Sequence, residues 1–161
     1  MGPTEINGLP AHVLLVHLMV VIVPITALLL LLTVFWPEAR RRIGVVLPLA
    51  ALLTLVMVPI TTHAGEWLRD HSSLKSPLID KHADLGDQML PWALGLFVVS
   101  AVVWGANRYF GRSTNARPPM ALTVVLAVLA VVVAVGSVVM IYRIGDSGAK
   151  AAWQGTISSG S

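Results

Sequence analysis

Long apolar segments alternate with short polar ones along this chain, and the alternation occurs four times. The apolar segments cover residues 12–36, 43–62, 91–110 and 120–142. A helix of about 20 apolar residues crosses the hydrocarbon layer of a membrane, and each segment is long enough to do so. The pattern therefore predicts four spanning helices in a single membrane domain over residues 1–161.

A further helix is predicted outside the membrane, over residues 77–90. Ser76 followed by Pro77 has the pattern of an N-cap and a first helical residue. Pro91 has no N–H to donate to the carbonyl of Asp87, so we expect a bend where the chain enters the third span. Helical spacing places His82, Gly86 and Met89 on one face, which we expect to pack inward, and Asp80, Asp84 and Asp87 on a face towards water.

Composition supports the membrane assignment. The chain is 56% hydrophobic and 12% charged, with a mean hydropathy of +0.80, whereas soluble domains are about a quarter charged. It contains no cysteine, which excludes disulfides, thiolate metal sites, iron–sulfur ligation and covalent attachment of c-type haem. The net charge of +3 comes from residues at helix ends rather than from a basic, aromatic-rich patch, so nucleic acid is not an expected partner.

The distribution of arginine predicts the orientation in the membrane. Short loops rich in arginine and lysine stay in the cytoplasm. The loops after the first and third spans carry Arg40, Arg41, Arg42, Arg108, Arg112 and Arg117. The predicted fold is therefore an all-α integral membrane four-helix up-down bundle with both termini extracytoplasmic, and its tail from Arg143 onward is expected to fray.

In this arrangement all five histidines lie at the outer end. His12 and His17 are five residues apart on the first span, which on a helix is roughly 140° of rotation and 7.5 Å of rise. His17 is flanked by apolar residues, and a polar group at that depth is expected to face the bundle interior or a cavity. The alternative is an interfacial histidine bonded to a backbone carbonyl. His82 faces the bundle one turn before Gly86, which leaves room for a bulky group beside the backbone.

A second set of polar side chains follows the second span. If that helix continues beyond the membrane, His63, Glu66 and Asp70 lie on one face together with Trp67 and His71. His63 and Glu66 have the spacing of a helical metal-ligand pair, and zinc or copper suits such ligands. A solvated polar stripe explains the same pattern, so both interpretations stay open.

Four short motifs resemble a known family. They are NGLPAHVLLVH at residues 7–17, GEWL at 65–68, HADLGD at 82–87 and YRIGDSGAKAAW at 142–153. Together they are similar to the bacterial four-span membrane proteins grouped as domain of unknown function 2231. The resemblance implies a four-helix membrane fold and a bacterial plasma-membrane location. Relatives often carry histidines matching His12, His17 and His82, and many have histidine where this chain has Asp146.

The resemblance also suggests electron transfer, because some relatives are fused to Rieske-type or cytochrome-type domains. We therefore expect an electron carrier rather than an enzyme, with haem b bound near the outer face. His17 and His82 are the expected axial ligands and His12 the reserve ligand. The alternative is a divalent-metal binder using His63, Glu66 and Asp70, or a non-catalytic subunit of a larger respiratory assembly. Expected partners are the lipid bilayer, a redox partner protein, and either a second copy of the chain or respiratory subunits.

Overall fold

The computed structural model describes residues 5–6, 9–71, 76–111 and 118–153, and this part of the chain is almost entirely helical. A two-residue antiparallel pair, β1 (Glu5–Ile6) with β2 (Leu9–Pro10), precedes the helices. The helices are α1 (Ala11–Phe35), α2 (Pro37–Ile43), α3 (Val46–His71), α4 (Pro77–Asp87), α5 (Met89–Gly111) and α6 (Met120–Trp153). Four helical segments are long and apolar enough to cross a membrane: α1, α3, α6, and the segment Pro77–Gly111 that comprises α4 and α5.

The four long helices surround a common core. Helices α1 and α5 each pack against both α3 and α6, while the short α4 lies against α6 and, less extensively, α3. The core has two apolar clusters. One, nearer the first turn of α1, includes Val23, Val58 and Ala93. The other, nearer the last turn of α1, includes Leu30, Leu47 and Leu96.

Large apolar side chains outside the core are exposed along all four long helices. In water such a surface would be unfavourable, and in a bilayer it faces lipid. Small residues bring α6 close to its neighbours: Ala130 and Ala134 are completely or almost completely buried. Gly105 makes no such close contact among the described residues, because a methyl group added there would meet none of their atoms within 4 Å.

The first arginine-rich loop contains a helix that the apolar pattern did not predict. Pro37 begins α2, and Arg42 Nε donates to Glu38 Oε1 at 3.1 Å across one helical turn. Arg40 bonds to the end of α1, with Nε donating to Thr33 O at 3.0 Å and Nη2 to Val34 O at 2.8 Å. These bonds satisfy carbonyls that a helix C-terminus leaves without partners.

Two helices continue well beyond the predicted spans. Helix α3 runs to His71 instead of ending near residue 62, and α6 runs to Trp153, so the expectation that the tail frays from Arg143 is wrong for residues 143–153. Lys150 Nζ lies 2.7 Å from Asp146 Oδ2 one turn away, which supports the extension of α6. The rest of the tail, 154–161, and the basic residues Arg112 and Arg117 lie outside the described residues.

The predicted outer helix is confirmed in position, and its end is earlier than expected. Ser76 Oγ accepts the N–H of Leu78 at 3.3 Å, and Pro77 is the first residue of α4. The helix ends at Asp87, and α5 begins at Met89 rather than after residue 90. The break falls at the residue after Asp87, the residue whose carbonyl Pro91 cannot bond.

Candidate histidine site

The second residue of α1 places a histidine against the backbone of α3. His12 Nδ1 lies 3.1 Å from Thr61 O, and a carbonyl oxygen only accepts, so Nδ1 carries the proton of this bond. Thr61 is buried, and its Oγ1 donates to Met57 O at 2.7 Å. Because α3 continues past Thr61 as a helix, it also places Gly65, beyond the predicted end of the span, beside the same ring.

A second histidine lies between α4 and α6. His82 Nδ1 is 3.0 Å from Ser147 Oγ, and Ser147 Oγ donates its only hydrogen to Ile144 O at 2.8 Å. Ser147 therefore accepts from His82, and Nδ1 of His82 also carries a proton. Ser147 is buried, and the hydrogen bond joins residues 65 positions apart in the chain.

The two histidines face each other across α1 and α4. Their ring centroids are 6.1 Å apart, with the ring planes at 81°. Both Nδ1 atoms donate to protein oxygens, so a neutral imidazole at either position has its free lone pair on Nε2. A histidine whose Nδ1–H bonds to a carbonyl or a similar acceptor is the usual form of a metal ligand. The pair can therefore act as nitrogen donors through Nε2.

Glycines on the two neighbouring helices make room for the imidazoles. A methyl group on Gly65 would lie 2.8 Å from His12 Cε1 and 2.9 Å from Nδ1. A methyl group on Gly148 would lie 3.0 Å from His82 Cε1 and 3.3 Å from Nδ1. Each ring thus lies directly on a helix backbone, a position that a larger residue at either glycine would obstruct.

His17 does not point into the bundle, contrary to expectation. Its side chain is exposed, and Nδ1 lies 2.6 Å from Val13 O one turn earlier in α1. This is the interfacial alternative, a histidine bonded to a backbone carbonyl. The physical reason is the rotation of roughly 140° between positions 12 and 17, which turns one side chain outward when the other faces the core. The structure therefore brings together His12 and His82, not His17 and His82.

The expected inward face of α4 is confirmed. His82 and Gly86 are half-buried, and Met89, at the start of α5, is 2% exposed. The nearest contact of a methyl group on Gly86 would be Thr62 Cγ2 at 3.7 Å, so this part of α4 lies against α3. The acidic residues of the other face, Asp80, Asp84 and Asp87, are exposed.

The alternative metal residues lie on the exposed surface of α3. His63 Nδ1 is 3.8 Å from Glu66 Oε2, with side chains 73% and 53% exposed, and Asp70 Oδ1 lies 3.8 Å from Arg69 Nε. His71 stacks on Trp67 with centroids 4.4 Å apart. Among the described residues, no three or more histidines or acids are grouped so that they could hold a metal ion. The exposure of these side chains fits the solvated-stripe alternative.

Sequence reasoning did not identify the groups that hold the two histidines. Thr61, Ser147 and Gly148 were assigned no role, although Gly65, Ser147 and Gly148 fall within the motifs that carry the family resemblance. A glycine one helical turn from a histidine can be recognised in the sequence, and Gly86 was recognised in this way. Which glycine meets which histidine depends on contacts between distant helices, and these are not visible in the sequence.

The family comparison agrees with this architecture. No curated protein and no solved structure matches the chain. A family described as "predicted membrane protein" matches residues 8–160, which include both histidines, both glycines and all four candidate spans. This chain is a member of that family, domain of unknown function 2231.

Proposed function

We propose that the protein is a membrane electron carrier that binds haem b through His12 and His82. One observation carries the proposal: two half-buried imidazoles from different helices lie 6.1 Å apart, each with Nδ1 donating to a protein oxygen. Neutral imidazoles with Nε2 available are the donors that b-type haem iron takes from proteins. The ligand pair differs from the sequence-based one in replacing His17 by His12.

The number of donors favours haem over a metal ion held by the protein alone. Structural zinc takes four protein ligands and catalytic zinc three. The described residues offer no such group, whereas haem iron needs only one or two ligands from the protein, because the porphyrin supplies four nitrogens. When bound, haem b supplies reversible one-electron transfer at its iron.

The two rings are close enough for one metal to be reached by both. Their centroids are 6.1 Å apart, and each ring would bind through Nε2, the nitrogen that is not used in the hydrogen bond to Thr61 O or Ser147 Oγ. If His12 and His82 both bound the iron, it would have no open position for a substrate, which favours an electron carrier with a redox partner protein over an enzyme.

The proposal includes an up-down bundle in the bacterial plasma membrane, with the histidine site and both termini outside. It is supported by the separation of charge: Arg40, Arg41 and Arg42 lie beyond the last turn of α1, whereas His12 lies in its first turn. Because the chain has no cysteine, single cysteines at Asp84 and Met120 can test the orientation directly. Asp84→Cys should react with a membrane-impermeant maleimide in intact cells, and Met120→Cys, 84% exposed before substitution, only after permeabilisation. The reverse pattern would invert the orientation.

Absorption spectra of purified variants test the haem site. Protein from haem-sufficient cells should show a Soret band and the reduced bands of a low-spin b-type haem. His12→Ala and His82→Ala should each abolish the low-spin spectrum, because one remaining imidazole cannot fill both axial positions. His71→Ala should retain it, since that ring stacks on Trp67 at the surface of α3.

His17→Ala separates the two ligand pairs. If His12 and His82 are the ligands, this variant keeps a wild-type spectrum. Loss of haem in His17→Ala, with retention in His12→Ala, would restore the sequence-based pair. Circular dichroism and size-exclusion profiles in detergent must match wild type in all variants, so that loss of haem is not loss of fold. A colourless wild-type protein without iron would refute the haem proposal.

A copper site is the second candidate, favoured by the buried methionines of the bundle core. Met19, Met89 and Met140 are at most 4% exposed and belong to one buried cluster, against which Met57 packs. These thioethers come from all four long helices, and soft thioether and imidazole ligands suit Cu(I). Met89→Leu keeps the apolar volume but removes a sulfur. Reduced copper content in this variant, without a haem band in wild type, would identify the copper site.

A further inference from the structure

A groove lies between α4 and α6, and its lining combines positive charge with apolar side chains. Its volume is about 150 Å³, enough for a tetrahedral phosphate group. Its lining comprises Leu78, Lys81, Leu85, Tyr142, Arg143, Asp146, Ser147 and Lys150. We propose that this groove binds the phosphate headgroup of an anionic phospholipid.

The charges in the groove favour an anion. Three cations face one carboxylate, and that carboxylate is already paired, because Lys150 Nζ lies 2.7 Å from Asp146 Oδ2. Within the described part of the chain, neither Lys81 nor Arg143 forms a salt bridge. Two cations are therefore available to a phosphodiester, to which an arginine can donate two parallel hydrogen bonds.

The position of the groove favours a lipid over a free anion. The apolar part of α6 ends at Tyr142, and charged residues begin at Arg143. Tyr142 is 73% exposed, and tyrosine is enriched at the level of lipid headgroups. Leu78 and Leu85 give the groove an apolar wall on the α4 side. A molecule with a phosphate at one end and acyl chains at the other matches this lining.

Lipid binding by full-length protein in detergent tests the assignment. Short-chain phosphatidylglycerol is titrated and the bound molecules are counted by native mass spectrometry, with short-chain phosphatidylcholine and inorganic phosphate as comparison probes. Removing both cations, by Lys81→Gln with Arg143→Gln, should weaken one phosphatidylglycerol binding event on the order of twenty-fold, since one basic residue near a lipid surface contributes roughly a fivefold change. Arg143→Lys should retain most of the binding.

The matched control removes two exposed cations at the other end of the bundle, Arg41→Gln with Arg108→Gln. It should leave the groove's binding event unchanged. Equal losses in the two double variants would overturn the assignment, as would displacement of the lipid by inorganic phosphate at equal concentration or equal binding of phosphatidylcholine. The haem spectrum is a separate measurement. A negative lipid-binding result would therefore not contradict the haem proposal, and a missing haem spectrum would not contradict lipid binding.

Discussion

Replacing Gly136 with alanine should destabilise the bundle, because α6 has no room for a methyl group there. A Cβ atom on Gly136 would overlap the six-membered ring of Trp92, contacting Cζ3, Cη2 and Cε3. The ring of Trp92 is half-buried, lies on α6 and packs against the core cluster that contains Val23 and Val58. The ring can avoid the new methyl group only by leaving this packing.

The magnitude follows from a comparison within one helix. Gly145 is also inside α6, but a methyl group there would meet no atom of the described residues within 4 Å. Glycine to alanine in a helix interior is favourable by about 1 kcal/mol, so Gly145→Ala should be neutral or stabilising by up to that amount. Overpacking a core costs about 1–3 kcal/mol. After subtracting the helix propensity, Gly136→Ala should lower the free energy of unfolding by about 0–2 kcal/mol, which places it about 1–3 kcal/mol below Gly145→Ala.

Thermal unfolding in one detergent, followed by near-ultraviolet circular dichroism, measures both variants. A difference of 1 kcal/mol corresponds to about 2–4 °C in a protein of this size. A smaller ring partner should rescue the defect: in the Trp92→Leu background, Gly136→Ala should cost less than it does alone. If Gly136→Ala is as stable as Gly145→Ala, or if its cost is the same with leucine at position 92, the proposed overlap is wrong.

Three further substitutions probe other parts of the structure. Gly65→Ala should weaken haem retention by displacing His12 from Thr61 O, whereas Gly145→Ala should leave the absorption spectrum unchanged; equal spectra would refute the role of Gly65. Gly44→Ala should lower the free energy of unfolding by about 1–2 kcal/mol, because Gly44, between α2 and α3, has a φ of 50° that a residue with a Cβ atom adopts only with strain. An unchanged melting temperature would contradict this. Ser137→Ala should be neutral or stabilising by about 1 kcal/mol in the same melting assay, because its buried hydroxyl has no hydrogen-bond partner among the described residues, and a clear loss of stability would indicate a partner.

The positions of the four spans could be predicted from the sequence because a bilayer imposes a local condition. Every segment that crosses it must be apolar over about 20 residues, and this property is visible without knowing which helices touch. The Ser76–Pro77 start of α4 was predictable for a similar reason, since an N-cap involves neighbouring residues only. Family membership also follows from short motifs that lie in order along the chain. The extensions of α3 and α6 beyond the membrane were harder to predict, because apolar periodicity ends where those helices leave lipid.

Which histidines meet was decided by the tertiary structure. Helical spacing shows that His12 and His17 face different directions, but not which of them faces the core, because that depends on the rotation of α1 against α3 and α6. The contact of His12 with Thr61 and Gly65 joins α1 to α3, and that of His82 with Ser147 joins α4 to α6. The two hydrogen bonds join residues that are 49 and 65 positions apart in the chain, so only the packing of the bundle brings them together.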